Sequence, residues 1–118
     1  MLPYKRSQRV GDLIREEIAD IIMYKLKDPR VGFITVTGVD MAPDLKLAKV
    51  FVSILKEEER EQTLDILNSS KNFIRSILSK RLRMKFIPII EFRLDASVEY
   101  GYKIDKILKE IKDRDEGA

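Results

Sequence analysis

The chain contains no histidine, no cysteine and no tryptophan. Without cysteine there is no disulfide, no thiolate nucleophile and no thiolate-ligated zinc. Without histidine, the commonest general base and the commonest metal ligand are also missing. Glycine is scarce, and its five residues stand apart at 11, 32, 38, 101 and 117, which leaves no glycine-rich phosphate loop. No apolar run approaches the ~20 residues that span a bilayer. The opening, MLPYKRSQRV, is basic but lacks the apolar block of a secretory signal. These absences predict a protein of the reducing cytoplasm that is no enzyme, has no cofactor, metal or small-molecule substrate, and meets no membrane.

One further absence is local. No aspartate or glutamate occurs between Asp65 and Glu91, although the chain holds twenty acids. The overall charge of +3 conceals how the signs are distributed. Residues 56–65, KEEEREQTLD, carry five acids against two bases, whereas residues 66–90 carry six bases and no acid. Positive charge concentrated in one segment in this way is what a polyanion binder presents.

At 118 residues and 44% hydrophobic content, the chain is long enough for one domain with a single modest core. From Ser7 to Lys27, Val10, Leu13, Ile14, Ile18, Ile21 and Ile22 recur at three- and four-residue steps, the stripe of an amphipathic helix. The proline in DPR, residues 28–30, ends it. FITVTGVD and KLAKVFVSIL then alternate as strands, and MAPDL between them supplies the turn of a β-hairpin. In the second strand Ala48, Val50, Val52 and Ile54 share the inward face. Two helical segments follow, Glu58 to about Ser69 and Phe73 to about Met84, with a break expected at Ser70–Asn72, where serine and asparagine compete for backbone hydrogen bonds. IIEFRLD reads as a third strand with Ile90, Phe92 and Leu94 inward. Ile104, Ile107, Leu108 and Ile111 describe a terminal amphipathic helix. The order α-β-β-α-α-β-α predicts a two-layer α+β domain in which helices cover a three-stranded sheet. The domain is expected over residues 1–112, with 113–118, DRDEGA, as a short disordered tail.

The acid-free segment carries the functional signal. On a helical wheel, Phe73, Ile74, Ile77, Leu78, Leu82 and Met84 fall in one half, and Arg75, Ser76, Ser79, Lys80 and Arg83 in the other. Arg81 lands among the apolar residues, where its stem would lie along the core and its head reach water. An ordinary solvated helix intersperses both signs, because Glu–Lys pairs one turn apart stabilise it. A helix of like charges spaced by small hydroxyls gives up that stabilisation and suits close approach by a phosphate backbone. Lys5, Arg6 and Arg9 extend the basic surface at the N-terminus. Most phenylalanines occupy inward positions, and Tyr4 is the best candidate for an exposed ring, so recognition is expected through backbone and shape rather than by stacking on bases.

The strand–helix–helix–strand heart resembles the KH fold of RNA-binding proteins, in its bacterial (type II) arrangement, but the GXXG loop that clamps single-stranded RNA is missing. In its place stands Ser70-Lys71-Asn72, followed by FIRSILSKRLRMKFIPIIEFRLDAS. With RSQRVGDLIREEIADII at the start and LKDPRVGFITVTGVDMAPDLKLAKVFVSIL after it, the chain is similar to the ribosome-binding factor A family from about Tyr4 to Lys112. That family replaces the GXXG loop by an interrupted helix marked Ala-x-Gly, to which Ser70 and Asn72 correspond. The resemblance implies a monomeric assembly factor that binds the immature 30S ribosomal subunit and its 16S rRNA. It also implies assistance to late rRNA processing at the 5′ end, with a special need in the cold. Carried over by position, Lys71, Arg75, Lys80, Arg81, Arg83 and Lys85 would face RNA, joined by Arg6 and Arg9 of the first helix, and the wheel adds Ser79 as a hydroxyl between them. Two rival readings are a protein–protein adaptor, using the hairpin edge or the acidic EEER helix start, and a KH-like module for single-stranded RNA.

Overall fold

The computed structural model describes residues 5–26, 28, 31 and 33–116. Tyr4 and the last two residues of the expected tail lie outside them, as do Pro29 and Arg30 of the expected helix stop. The first helix, α1, spans Arg6–Tyr24. It covers the whole apolar stripe but stops short of the expected Lys27; Lys25 and Leu26 both donate backbone hydrogen bonds to the Ile21 carbonyl and close the last turn. Gly11, Ile14, Ile18 and Ile21 form its buried face, whereas Leu13 points to solvent. At Gly11 α1 lies close against β1: a β-carbon there would sit 3.4 Å from the Val39 carbonyl oxygen and 3.6 Å from Met41 Cβ.

Strands β1 (Ile34–Met41) and β2 (Leu47–Ile54) pair antiparallel, and β3 (Ile89–Leu94) adds parallel to β2, giving the order β1-β2-β3. The turn between β1 and β2 places Leu45 at φ 62°, with its N–H bonded to the Ala42 carbonyl and the Asp44 carboxylate accepting from the Lys46 N–H. In β1 the register slips between Val36 and Gly38. A bulge reverses which face later residues occupy, so Val39 and Met41 join Ile34 and Val36 on the core side. Val50, Val52, Ile54, Ile90 and Phe92 complete the buried sheet face, as the alternation predicts.

The parallel return from β2 to β3 needs a crossover, supplied by a short 3₁₀ turn at Glu57–Glu59, then α2 (Arg60–Ser69) and α3 (Lys71–Arg81). Thr63, Ile66 and Leu67 of α2 and Ile74 and Leu78 of α3 are buried. Phe73, placed on the apolar half of the wheel, is instead about half exposed, at 49%. Helix α3 also stops sooner than its sequence suggests. Leu82 turns to an extended conformation (ψ 133°) while its N–H still bonds the Leu78 carbonyl and its side chain stays buried. Arg83, Met84 and Lys85 therefore lie on an irregular exit segment, not on the helix.

The last helix, α4 (Ala96–Glu116), departs most from expectation. It begins where the Asp95 carboxylate accepts hydrogen bonds from the Ser97 N–H (3.0 Å) and hydroxyl (2.6 Å), and from the Thr37 hydroxyl at the β1 bulge (2.6 Å). It runs through residues 113–116, which the sequence assigns to a disordered tail. Ile104, Ile107, Leu108 and Ile111 are all exposed, because α1, α2 and α3 already close the sheet face. At about 1.5 Å per residue α4 is about 30 Å long, and the molecule measures 63 × 44 × 18 Å with a radius of gyration of 17.2 Å. A compact domain of this length would have one of about 13–14 Å. Among the described residues no helix is long and apolar enough to cross a membrane.

Candidate nucleic-acid interface

The junction between α2 and α3 is one residue. Ser70 (φ −93°, ψ 1°) donates its N–H to the Ile66 and Leu67 carbonyls while its own carbonyl accepts from the Ile74 N–H. Ser70 thus closes the last turn of α2 and opens the first turn of α3 without a loop. The turn uses the bridge region of backbone space rather than a left-handed residue. Lys71 and Asn72 already belong to the first turn of α3, so the break expected over Ser70–Asn72 sits at Ser70 alone.

The neighbouring Asn68 was given no role by sequence reasoning. Its side-chain amide accepts from the Phe92 N–H (3.0 Å) and donates to the Phe92 carbonyl (3.3 Å). It thus pairs the outer edge of β3 as another strand would, and fixes the basic helix pair against the sheet. Replacing Asn68 by leucine, similar in size but apolar, leaves both Phe92 groups without their partner. A loss of about 1–3 kcal/mol in urea unfolding is expected.

The six cations of the acid-free segment divide into two groups. Arg75 is half-buried and turns back on its own chain: Nε donates to the Pro88 carbonyl (3.0 Å) and Nη2 to the Ile87 carbonyl (3.1 Å), bracing the approach to β3. Arg81 faces α1, where Nη1 lies 2.6 Å from Asp20 Oδ2 and 3.0 Å from Glu17 Oε2. Hydrogen bonds first to Asp20 and then to Glu17 raise its pKa above the ordinary guanidinium value. These two side chains, expected to face RNA, are engaged within the protein. The wheel placed Arg75 outward because it could not include the exit segment folding back beneath it. Arg81 leaves the apolar half as expected, but toward carboxylates rather than water.

Lys71, Lys80, Arg83 and Lys85 form the second group, all exposed, and no hydrogen bond or ion pair holds their charged groups among the described residues. Lys80 stands in the last turn of α3, Lys71 in its first. Ser79 is exposed, and its hydroxyl donates to the Ser76 carbonyl (2.8 Å), keeping the surface between the cations low. Arg6 and Arg9 are exposed at the start of α1. Neither α1 nor α3 has an acid in its first turn, though carboxylates there would stabilise the helix dipole.

An open cleft of about 760 Å³ draws several of these groups together. Its walls come from three parts of the chain: Arg6 of α1, Asp44–Lys46 of the β1–β2 turn, and Arg83–Ile87 with Ile89 beyond α3. Lys46 and Phe86 were not singled out from the sequence. Phe86 is 74% exposed, with Lys85 Nζ 5.5 Å from its ring centroid. The expectation that most phenylalanines point inward is therefore corrected by Phe86, and also by Phe33 and Phe73. Among the described residues there is no cluster of potential metal ligands.

Comparison with known proteins agrees with this architecture. The family model of ribosome-binding factor A matches residues 6–108. A ribosome-binding factor A from Thermodesulfovibrio yellowstonii is 57% identical over 112 residues, covering 95% of each chain. The crystal structure of ribosome-binding factor A from Thermus thermophilus superposes with a TM-score of 0.67 at 27% identity, covering 75% of this chain and 94% of the other. A homology model of the Thermus thermophilus factor, as fitted into a cryo-EM map of its complex with the 30S subunit, gives a TM-score of 0.64 at 28% identity, with 74% and 92% covered.

Proposed function

We propose, from the premise that the chain belongs to the ribosome-binding factor A family, that it binds the immature 30S ribosomal subunit as a monomer through phosphates of 16S rRNA. The fold is the family's KH-like one. The observation that carries the reading is a surface that bears the exposed cations Lys71, Lys80, Arg83, Lys85 and Arg6, whose charges no described carboxylate neutralises; Asp44 is the one acid lining the cleft to which Arg6, Arg83 and Lys85 belong. Such a surface gains its partner's affinity chiefly from released counterions. The Thermus thermophilus factor, placed in a map of a 30S complex, supports the same partner here. Arg75 and Arg81 hold the surface in shape: one fixes the exit segment, the other ties α3 to α1. Phosphate contacts orient the protein, and binding favours one arrangement of rRNA over its competitors, a population shift that needs no chemistry. In the cytoplasm this would assist late processing at the 5′ end of 16S rRNA, and most in the cold, when rearrangement of RNA is slow.

The test is the salt dependence of binding to immature small subunits. Neutralising five phosphates predicts a fall of roughly 10²- to 10³-fold between 50 and 200 mM monovalent salt. An affinity that hardly changes would favour the adaptor reading, for which the exposed apolar stripe of α4 offers a surface.

A further inference from the structure

We propose that the cleft between the start of α1, the β1–β2 turn and the exit of α3 receives one unpaired RNA base, stacked on Phe86, with its flanking phosphates held by Arg6, Lys46, Arg83 and Lys85. This rests on the electrostatic reading above and adds to it a site for a base.

The ring of Phe86 is the first reason. A phenylalanine 74% exposed gives up most of the stabilisation that burial would bring, and it stands between two residues that find different uses. Lys85 caps the ring from 5.5 Å, and the Ile87 carbonyl is held by Arg75. The segment carrying Phe86 has no regular secondary structure, yet two guanidinium hydrogen bonds of 3.0 and 3.1 Å fix it immediately downstream. A braced, outward aromatic is a platform whose placement costs little further ordering on binding.

The surroundings of the ring are the second reason. Leu45, Met84 and Ile89 supply apolar walls, and Ile89 is itself 58% exposed. Around them stand four cations and one acid. That acid, Asp44, is turned to the Lys46 N–H at 3.0 Å. An apolar floor with a cationic rim suits a nucleotide, whose base is flat and apolar on its faces and whose phosphates carry charge. A protein helix or peptide would need hydrogen-bonding or acidic groups to match four cations across one small cleft. Every base has a face to stack, so the site takes an unpaired nucleotide of either purine or pyrimidine type.

Phe86→Leu and Phe86→Tyr separate stacking from charge, and both should remain folded because the side chain is exposed, which the thermal midpoint verifies. Binding of each to immature small subunits is measured across a salt series. A hairpin RNA carrying 2-aminopurine as a single bulged base serves as a second probe, beside a fully paired hairpin with the same label. Phe86→Leu should bind subunits about five- to hundred-fold more weakly with the salt slope unchanged, and lose the quenching of the bulged 2-aminopurine that wild type and Phe86→Tyr produce. Wild-type affinity and salt slope in Phe86→Leu, with the same quenching, would overturn the base site and leave the electrostatic reading standing. Binding by the wild type that is insensitive to salt would overturn both.

Discussion

Lys80→Glu combined with Arg83→Glu is expected to weaken binding to immature small subunits by about 100-fold at moderate salt, equivalent to about 2.7 kcal/mol. The salt slope should fall by about two, one for each lost phosphate contact. Both side chains are exposed, and no partner among the described residues holds them, so the thermal midpoint should hardly move. Arg81→Gln provides the contrast. Its guanidinium already serves Asp20 and Glu17, and removing it leaves two carboxylates facing α3 without a cation. That variant should lower the thermal midpoint while the folded fraction binds with nearly wild-type affinity. Equal binding losses in the two variants would mean that Arg81 faces RNA after all, and that its ion pairs open on the subunit.

Phe92→Ala is expected to cost about 3–5 kcal/mol in urea unfolding. Phe92 is the largest fully buried side chain, 2% exposed, in a core that ordinarily leaves a domain only about 5–15 kcal/mol stable. Its backbone is the partner of the Asn68 amide, so a cavity there also loosens the helix pair that carries Lys71 and Lys80. Loss of binding in this variant should track loss of folded protein and recover at lower temperature. Phe86→Ala, the same chemical change at an exposed site, should shift stability by less than about 0.5 kcal/mol. Comparing the two separates a phenylalanine that builds the fold from one that faces outward.

Alternation and helical spacing were enough to place Ile14, Ile18, Val50, Val52 and Ile90 inward, because their burial follows directly from period. They misplaced Leu13 and Phe73 at the margins of their stripes and could not see the bulge that turns Val39 and Met41 to the core. Ser70 as the place of interruption was legible for the same kind of local reason. What was not legible depends on where the chain goes next. The fates of Arg75 and Arg81 are decided by the exit segment and by α1, which pack against them from distant positions. Arg83 and Phe86 lie beyond a helix end that Leu82 sets by staying in the core, and a wheel extended to Met84 cannot see that. The isoleucines of α4 have the spacing of a core helix, but three other helices had filled the sheet face. Asn68 could have been suspected: a polar residue beside buried Ile66 and Leu67 needs a partner, and an unpaired strand edge is one place to find it.

Ultraviolet crosslinking of the intact protein to immature small subunits, with identification of both the attached RNA and the attached peptide, tests the central claim most directly. Crosslinks to 16S rRNA from peptides spanning Lys80–Phe86 and the start of α1 are expected, and they should fade as salt is raised. Crosslinks found only to ribosomal proteins, through α4 or the hairpin edge, would contradict it.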